Sequence, residues 1–185
     1  MLAGVYISIA SILYLSLNDK IIGAVLFSIG LLLVINTKQR LFTGYVGSVR
    51  KDTIFEAVKA LGLNLVGCAA VVLLIKLTNK NDFLIINAES ICQIKLQNDW
   101  LTVLILSLFC GVLMELAVTS KNNLIVVLCV TAFILCGFEH CIANFCYMLL
   151  AEQFDIIRFS IMIAGNIIGA QIINRILEYK RSKRI

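Results

Sequence analysis

His140 is the only histidine in the chain, and Glu139 stands beside it inside an otherwise apolar run. Ionisable side chains within a membrane-length apolar segment are costly and mostly face a pathway or a partner, so this pair marks a candidate site. An imidazole donates a hydrogen bond to a carboxylate or nitrite and can exchange a proton near neutral pH, chemistry that suits a weak acid. Glu139 has two readings: a proton carrier, or an acceptor for backbone N–H groups left free where a helix is interrupted. Asn144 falls four residues beyond His140 on the same helical face, where it either orients the ring or serves in packing. Glu115 sits near one end of its apolar segment and is expected to snorkel to water or to a neighbouring base.

These groups need elements to hold them, and the composition says which solvent those elements meet. Of 185 residues, 61% are hydrophobic and 15% charged, against roughly 25% charged in soluble domains. Mean hydropathy is +0.98. Too little polar content exists to coat a soluble surface, and the apolar runs recur along the whole chain, so a single membrane domain over residues 1–185 is expected. The first run lacks a basic leader and a small-residue cleavage site, which reads as a retained helix. Seven cysteines, mostly within apolar runs and without a CxxC pair, read as small hydrophobes and not as a disulfide framework or zinc site. No phosphate-binding glycine loop, metal-ligand cluster or Ser/His/Asp set is present in the sequence, so neither an enzyme nor a cofactor is expected.

A bilayer core of about 30 Å takes about 20 apolar residues per helix, fewer where a helix is broken. Six segments qualify: 1–17, 21–36, 55–77, 100–118, 124–150 and 156–177. Residues 84–96 are too short and too polar to span and are expected to form a loop or a short amphipathic helix on one face. Six crossings put both termini on one side. Lys20, Lys76, Lys80, Lys95 and Arg158 fall on one face, and the remaining basic residues, including 38–51, Lys121 and the tail Lys180, Arg181, Lys183 and Arg184, fall on the other. The richer face is expected to be cytoplasmic, in the cell (plasma or inner) membrane. The net charge of +5 is thereby read as a topology signal and not as a nucleic-acid surface.

The second and fifth segments are interrupted, one by Leu41-Phe42-Thr43-Gly44 and the other by Gly137-Phe138-Glu139-His140. The third and sixth also answer each other, Asn64 to Gly67 against Gly165 to Gly169. Paired broken helices at matching places predict an all-α fold of two inverted three-helix repeats, about 1–77 and 100–177, with the permeation site at the breaks.

Gly137-Phe138-Glu139-His140-Cys141-Ile142-Ala143-Asn144 resembles the GFEHSIAN motif of the formate/nitrite transporter family, with Cys141 in place of serine. Ala3 to Ile7 resembles its AGxYI pattern, Leu41 to Gly44 its LFTG loop, and the two asparagine–glycine stretches its GNxxG motifs. The resemblance covers nearly the whole chain. It implies an aquaporin-like protomer in a pentamer, transporting small monovalent weak-acid anions, of the formate, nitrite, hydrosulfide, acetate or lactate class, with proton coupling through a central pore histidine. It further implies that His140 is the central pore histidine and Thr43 its hydrogen-bonding counterpart. Phe27, Leu31, Leu41, Phe42, Phe133 and Met114 would form the apolar constrictions, and Lys95 would draw anions into the outer vestibule.

The chain departs from the pattern at several places. Arg40 replaces an acidic residue before LFTG, Tyr45 an asparagine after it, Gly111 a pore-lining asparagine, and Leu149 a proline. The chain is also expected to start directly at the first helix, without the helix that precedes it in the family. Two competing expectations follow: a non-transporting membrane component retained for assembly, or an aquaporin-like channel for neutral solutes that ignores His140 and pH.

Overall fold

The computed structural model describes residues 1–79 and 81–183, apart from the Asn81 side chain. Lys80 and Arg184, both used above in the charge reading, lie outside the described residues. Among the described residues nine α-helices follow in order: α1 (Leu2–Leu15), α2 (Lys20–Asn36), α3 (Phe42–Tyr45), α4 (Ile54–Lys76), α5 (Asn81–Leu96), α6 (Trp100–Thr119), α7 (Asn123–Leu135), α8 (Cys141–Leu150) and α9 (Ile156–Ser182). Short 3-10 turns at Val46–Ser48 and Lys51–Thr53 join α3 to α4.

The helix starts are written in the sequence. Asp19 accepts from the Ile21 and Ile22 N–H groups at 2.9 and 3.0 Å, Asp99 from Thr102 at 2.7 Å, Asn122 from Leu124 at 2.9 Å, and Asp155 from Ile157 and Arg158 at 2.9 and 3.0 Å. Each satisfies donors that the first turn leaves open. The segment expected as a loop or short amphipathic piece is a 16-residue helix, α5, lying against α8 and α1. The last helix runs on to Ser182, carrying Lys180 and Arg181 of the basic tail in helical form.

Burial is inverted relative to a soluble protein. Ser8, Ser11, Thr43, Asn64, Ser107, Glu115, Glu139, His140, Asn144 and Asn166 are buried, whereas Leu74, Leu101, Leu128 and Ile156 each expose more than half their surface. Apolar side chains facing outward around a polar interior are what a bilayer solvent selects. Among the described residues three helical stretches, Lys51–Lys76, Trp100–Thr119 and Ile156–Ser182, are long and apolar enough to cross a membrane. The other expected crossings are the shorter α1 and the interrupted α2–α3 and α7–α8 pairs.

The packing of the two halves matches. Helix α1 lies on α4 and α6 on α9, through glycines that bring backbones together. A Cβ on Gly4 would fall on the Asn64 carbonyl, and one on Gly67 on that of Met1. In the second half, Gly111 meets the Asn166 carbonyl and Gly169 that of Leu108. Gly111, which stands in place of an asparagine of the family, is here a helix-packing contact. Without a hydrophobic drive between helices in lipid, such close approach supplies the adhesion.

Candidate functional site

Each interrupted span ends in the same helix-terminating motif. At α2, the Lys38 N–H donates to the Ile35 carbonyl and the Gln39 N–H to that of Val34, at 3.1 and 2.9 Å. At α7, Gly137 donates to Ile134 and Phe138 to Phe133, at 3.1 and 3.0 Å. Both are Schellman ends, with Lys38 (φ 56) and Gly137 (φ +67) in the left-handed position. Glycine fits that conformation without cost, whereas lysine carries a strain of about 1–2 kcal/mol. Lys38→Gly is therefore expected to raise thermal stability slightly, by up to about 1 kcal/mol, and Gly137→Ala to lower it by about as much. Thermal melts of the purified protein test both, and a stability loss in Lys38→Gly would contradict the reading.

Three residues beyond each left-handed residue the helix restarts, after Leu41 at one break and His140 at the other. The Phe42 N–H donates to Asn64 Oδ1 at 2.8 Å, and the Cys141 N–H to Asn166 Oδ1 at 3.0 Å. Asn64 Nδ2 returns a bond to the Arg40 carbonyl at 3.1 Å, and Asn166 Nδ2 to the carbonyls of Glu139 and Ser107, each at 2.8 Å. One asparagine from the long helix of each half thus satisfies the backbone that its break leaves open.

His140, 2% exposed, is held from three sides. Its Nδ1 accepts from the Ala143 N–H at 3.1 Å, making the ring the N-cap of α8. Its Nε2 lies 2.8 Å from Thr43 Oγ1 at the opposing break. Because Nδ1 accepts, the neutral ring carries its proton on Nε2 and donates it to Thr43 Oγ1. The Phe133 ring stacks on the imidazole at 5.5 Å between centroids, and Phe27 meets Phe133 edge-on at 5.7 Å.

Glu139 is fully buried and pairs with Lys95, whose Nζ lies 2.7 Å from Oε2 and 3.4 Å from the Gly137 carbonyl. Asn144 Nδ2 donates to the same Oε2 and to Met162 Sδ. Among the described residues Glu139 Oε1 has no hydrogen-bond partner. Neither side-chain oxygen takes the backbone N–H groups of the break, a task that falls to Asn166. Asn144 orients Glu139 and not the His140 ring. Lys95 is tied to a carboxylate and does not stand as a free cation in the vestibule. Glu115 is corrected as well: at 2% exposure it does not snorkel, and it accepts from Asn174 Nδ2 of α9 at 2.7 Å, with Gly47 pressed against its carboxylate.

Lys95, Phe133, His140, Asn144 and Tyr147 line a cavity of about 340 Å³. On the other side of the Thr43–His140 contact, a cavity of about 260 Å³ is lined by Val34, Lys38, Arg40, Leu41, Gly44 and Val118. Between them Phe27, Leu31, Leu41, Phe42, Phe133 and Met114 are each at most 3% exposed. The arrangement is a dry apolar plug with one polar contact at its centre and, on either side, a chamber with room for several waters. Among the described residues no three His, Cys, Asp or Glu side chains are placed to hold a metal. Sequence reasoning gave Asn64 and Asn166 only as parts of packing motifs. Their signal was there, a buried amide at the same place in each repeat.

Among curated proteins none matches the chain. Among solved structures, a pentameric formate channel with formate bound is similar at 26% identity and a TM-score of 0.81, over 97% of this chain and 93% of that one. An FNT family ion channel has the same fold at 21% identity and a TM-score of 0.75, over 98% of this chain and 87% of the other. The family model for formate/nitrite transporter proteins matches residues 1–179, and the chain belongs to that family of membrane channels, which are not enzymes.

Proposed function

We propose that the chain conducts small monovalent weak-acid anions, formate first among them, across a cell membrane as a pentamer of six-crossing protomers with cytoplasmic termini. The observation that carries this is the Thr43–His140 contact at 2.8 Å, buried between apolar side chains that a bare anion cannot pass without losing its water. Similarity to a pentameric channel with formate bound supports both the permeant and the assembly. The non-transporting reading has no use for a hydrogen bond that joins the two breaks across the plug, and a neutral-solute channel has none for an ionisable ring there.

In this mechanism a dehydrating anion gains a proton as it leaves the chamber beside Lys95, because the low-dielectric plug favours its neutral form. His140 does not supply that proton. Its one N–H is on Nε2, and removing it would leave an imidazolate. A second proton on Nδ1 would break the cap on the Ala143 N–H. The ring serves as a donor that passes its hydrogen bond from Thr43 to the permeant, and the proton travels with the permeant from one solution to the other. Transport is electroneutral.

The test is uptake of labelled formate, nitrite and hydrosulfide into liposomes containing the protein, across a pH series, with membrane current recorded in parallel. Uptake should rise toward low pH without matching current. A pH-independent current equal to total uptake would refute proton coupling, and no uptake of any of the three by folded, oligomeric protein would favour the non-transporting reading.

A further inference from the structure

The two breaks carry ion pairs of opposite polarity at equivalent positions. Arg40 and Glu139 each occupy the residue before the N-cap of the restarting helix, three positions after the α2 or α7 cap residue. Glu139 is an acid in the loop, paired to a cation from α5, with side-chain exposures of 0% and 15% for Glu139 and Lys95. Arg40 is a cation in the loop, its Nη1 2.7 Å from Glu56 Oε2 of α4, with exposures of 59% and 41%. The first pair is largely buried and its charges cancel locally. The second is open to solvent, where pairing holds a guanidinium loosely.

Arg40 also lies 5.3 Å over the Tyr45 ring, which fixes where its charge sits. It lines two adjoining cavities. One, of about 290 Å³, has Lys38, Glu56 and Lys59 in its wall. The other, of about 260 Å³, ends on Leu41 of the apolar plug. Glu56 is the only carboxylate lining either among the described residues, against the three cations Lys38, Arg40 and Lys59. A recess with low-dielectric walls and an excess of one charge focuses field lines on ions of the other sign.

We infer that Arg40, with Lys38 and Lys59 beside it, is an anion-collecting site at the plug's second mouth, binding the small monovalent anion before it passes Leu41. The inference rests on the transport reading above. It makes the Arg40 side the electrostatically attractive entrance and leaves Lys95 to its carboxylate.

The pair itself provides the test, through initial rates of labelled formate uptake into liposomes at low and high ionic strength. Reconstituted protein presents both faces to the outer solution, so the Arg40 mouth is sampled in every preparation. Arg40→Gln should raise the half-saturating formate concentration by about three-fold at low salt, while Glu56→Gln, which releases the guanidinium, should lower it. Maximal rates should hold, Arg40→Lys should restore the wild-type value, and all differences should fade at high salt. If Arg40 only staples the loop to α4, Arg40→Gln and Glu56→Gln shift the protein in the same direction and Arg40→Lys does not rescue. That outcome, or an unchanged half-saturation in both glutamine variants beside a transporting wild type, overturns the inference alone. A wild type that moves no formate at any pH overturns the transport reading and this inference with it.

Discussion

His140→Asn is expected to cut formate uptake by about ten- to a hundred-fold while leaving the protein folded. The substitution separates the two jobs of the ring. As N-cap of α8 the imidazole Nδ1 accepts the Ala143 N–H at 3.1 Å, and an asparagine side chain caps helices at least as well. The second job cannot be copied. Nε2 reaches across to Thr43 Oγ1 at 2.8 Å, and the shorter asparagine amide ends before it. What is lost is a donor placed where a dehydrated anion or its acid must pass, and hydrogen bonds to charged groups contribute about 1.5–3 kcal/mol. Thr43→Val, which keeps shape and removes the hydroxyl, should lower uptake in the same direction. Uptake in His140→Asn within about two-fold of wild type, at every pH, would show that the plug passes its permeant without this donor.

What the sequence displayed and what it hid divide along a physical line. The interrupted spans and the boundaries of α4 and α6 were legible, because each depends on residues within a few positions of one another. Of the residues singled out in the sequence, His140 and Thr43 come into contact, and the six apolar side chains are each buried. Partner choice was not legible. Lys95 and Glu139 are 44 residues apart in the chain, and nothing local says that one neutralises the other. Glu115 looked like a snorkelling acid because α6 ends soon after it. Its burial comes from α9, where Asn174 supplies the donor, and from Gly47, whose missing side chain makes room for the carboxylate. Gly111 looked like a lost pore residue for a similar reason, since the sequence does not reveal which face of α6 the α9 backbone covers. Helix α5 was underestimated because its polar residues weaken the hydropathy signal, although one face lies on α8 and α1.

Asn166→Ala is expected to be the most destabilising single substitution at the breaks. The side chain holds three backbone groups at once: the Cys141 N–H at 3.0 Å and the Glu139 and Ser107 carbonyls at 2.8 Å each. Polar contacts between membrane helices average only about 0.6 kcal/mol, because groups set free in lipid usually find another partner. That escape is closed here. The Cys141 N–H is a first-turn donor with no intrahelical acceptor, and Glu139 precedes the helix, so neither can be reabsorbed. Buried groups left unsatisfied cost about 1–3 kcal/mol each, so a total of about 3–9 kcal/mol is expected, and His140, between Glu139 and Cys141, should lose its position with them. Asn64→Ala should cost less, about 2–3 kcal/mol, since it frees only the Phe42 N–H and a carbonyl beside exposed Arg40. Asn166→Asp keeps the acceptor for Cys141 but sets a carboxylate against two carbonyls, and should be no better than alanine. Thermal midpoints of the detergent-solubilised variants, with the fraction eluting as intact oligomer, give the ranking. If Asn166→Ala melted no lower than Asn64→Ala, the third bond to Ser107 would contribute nothing, and the two breaks would be held equally well by their shared design alone.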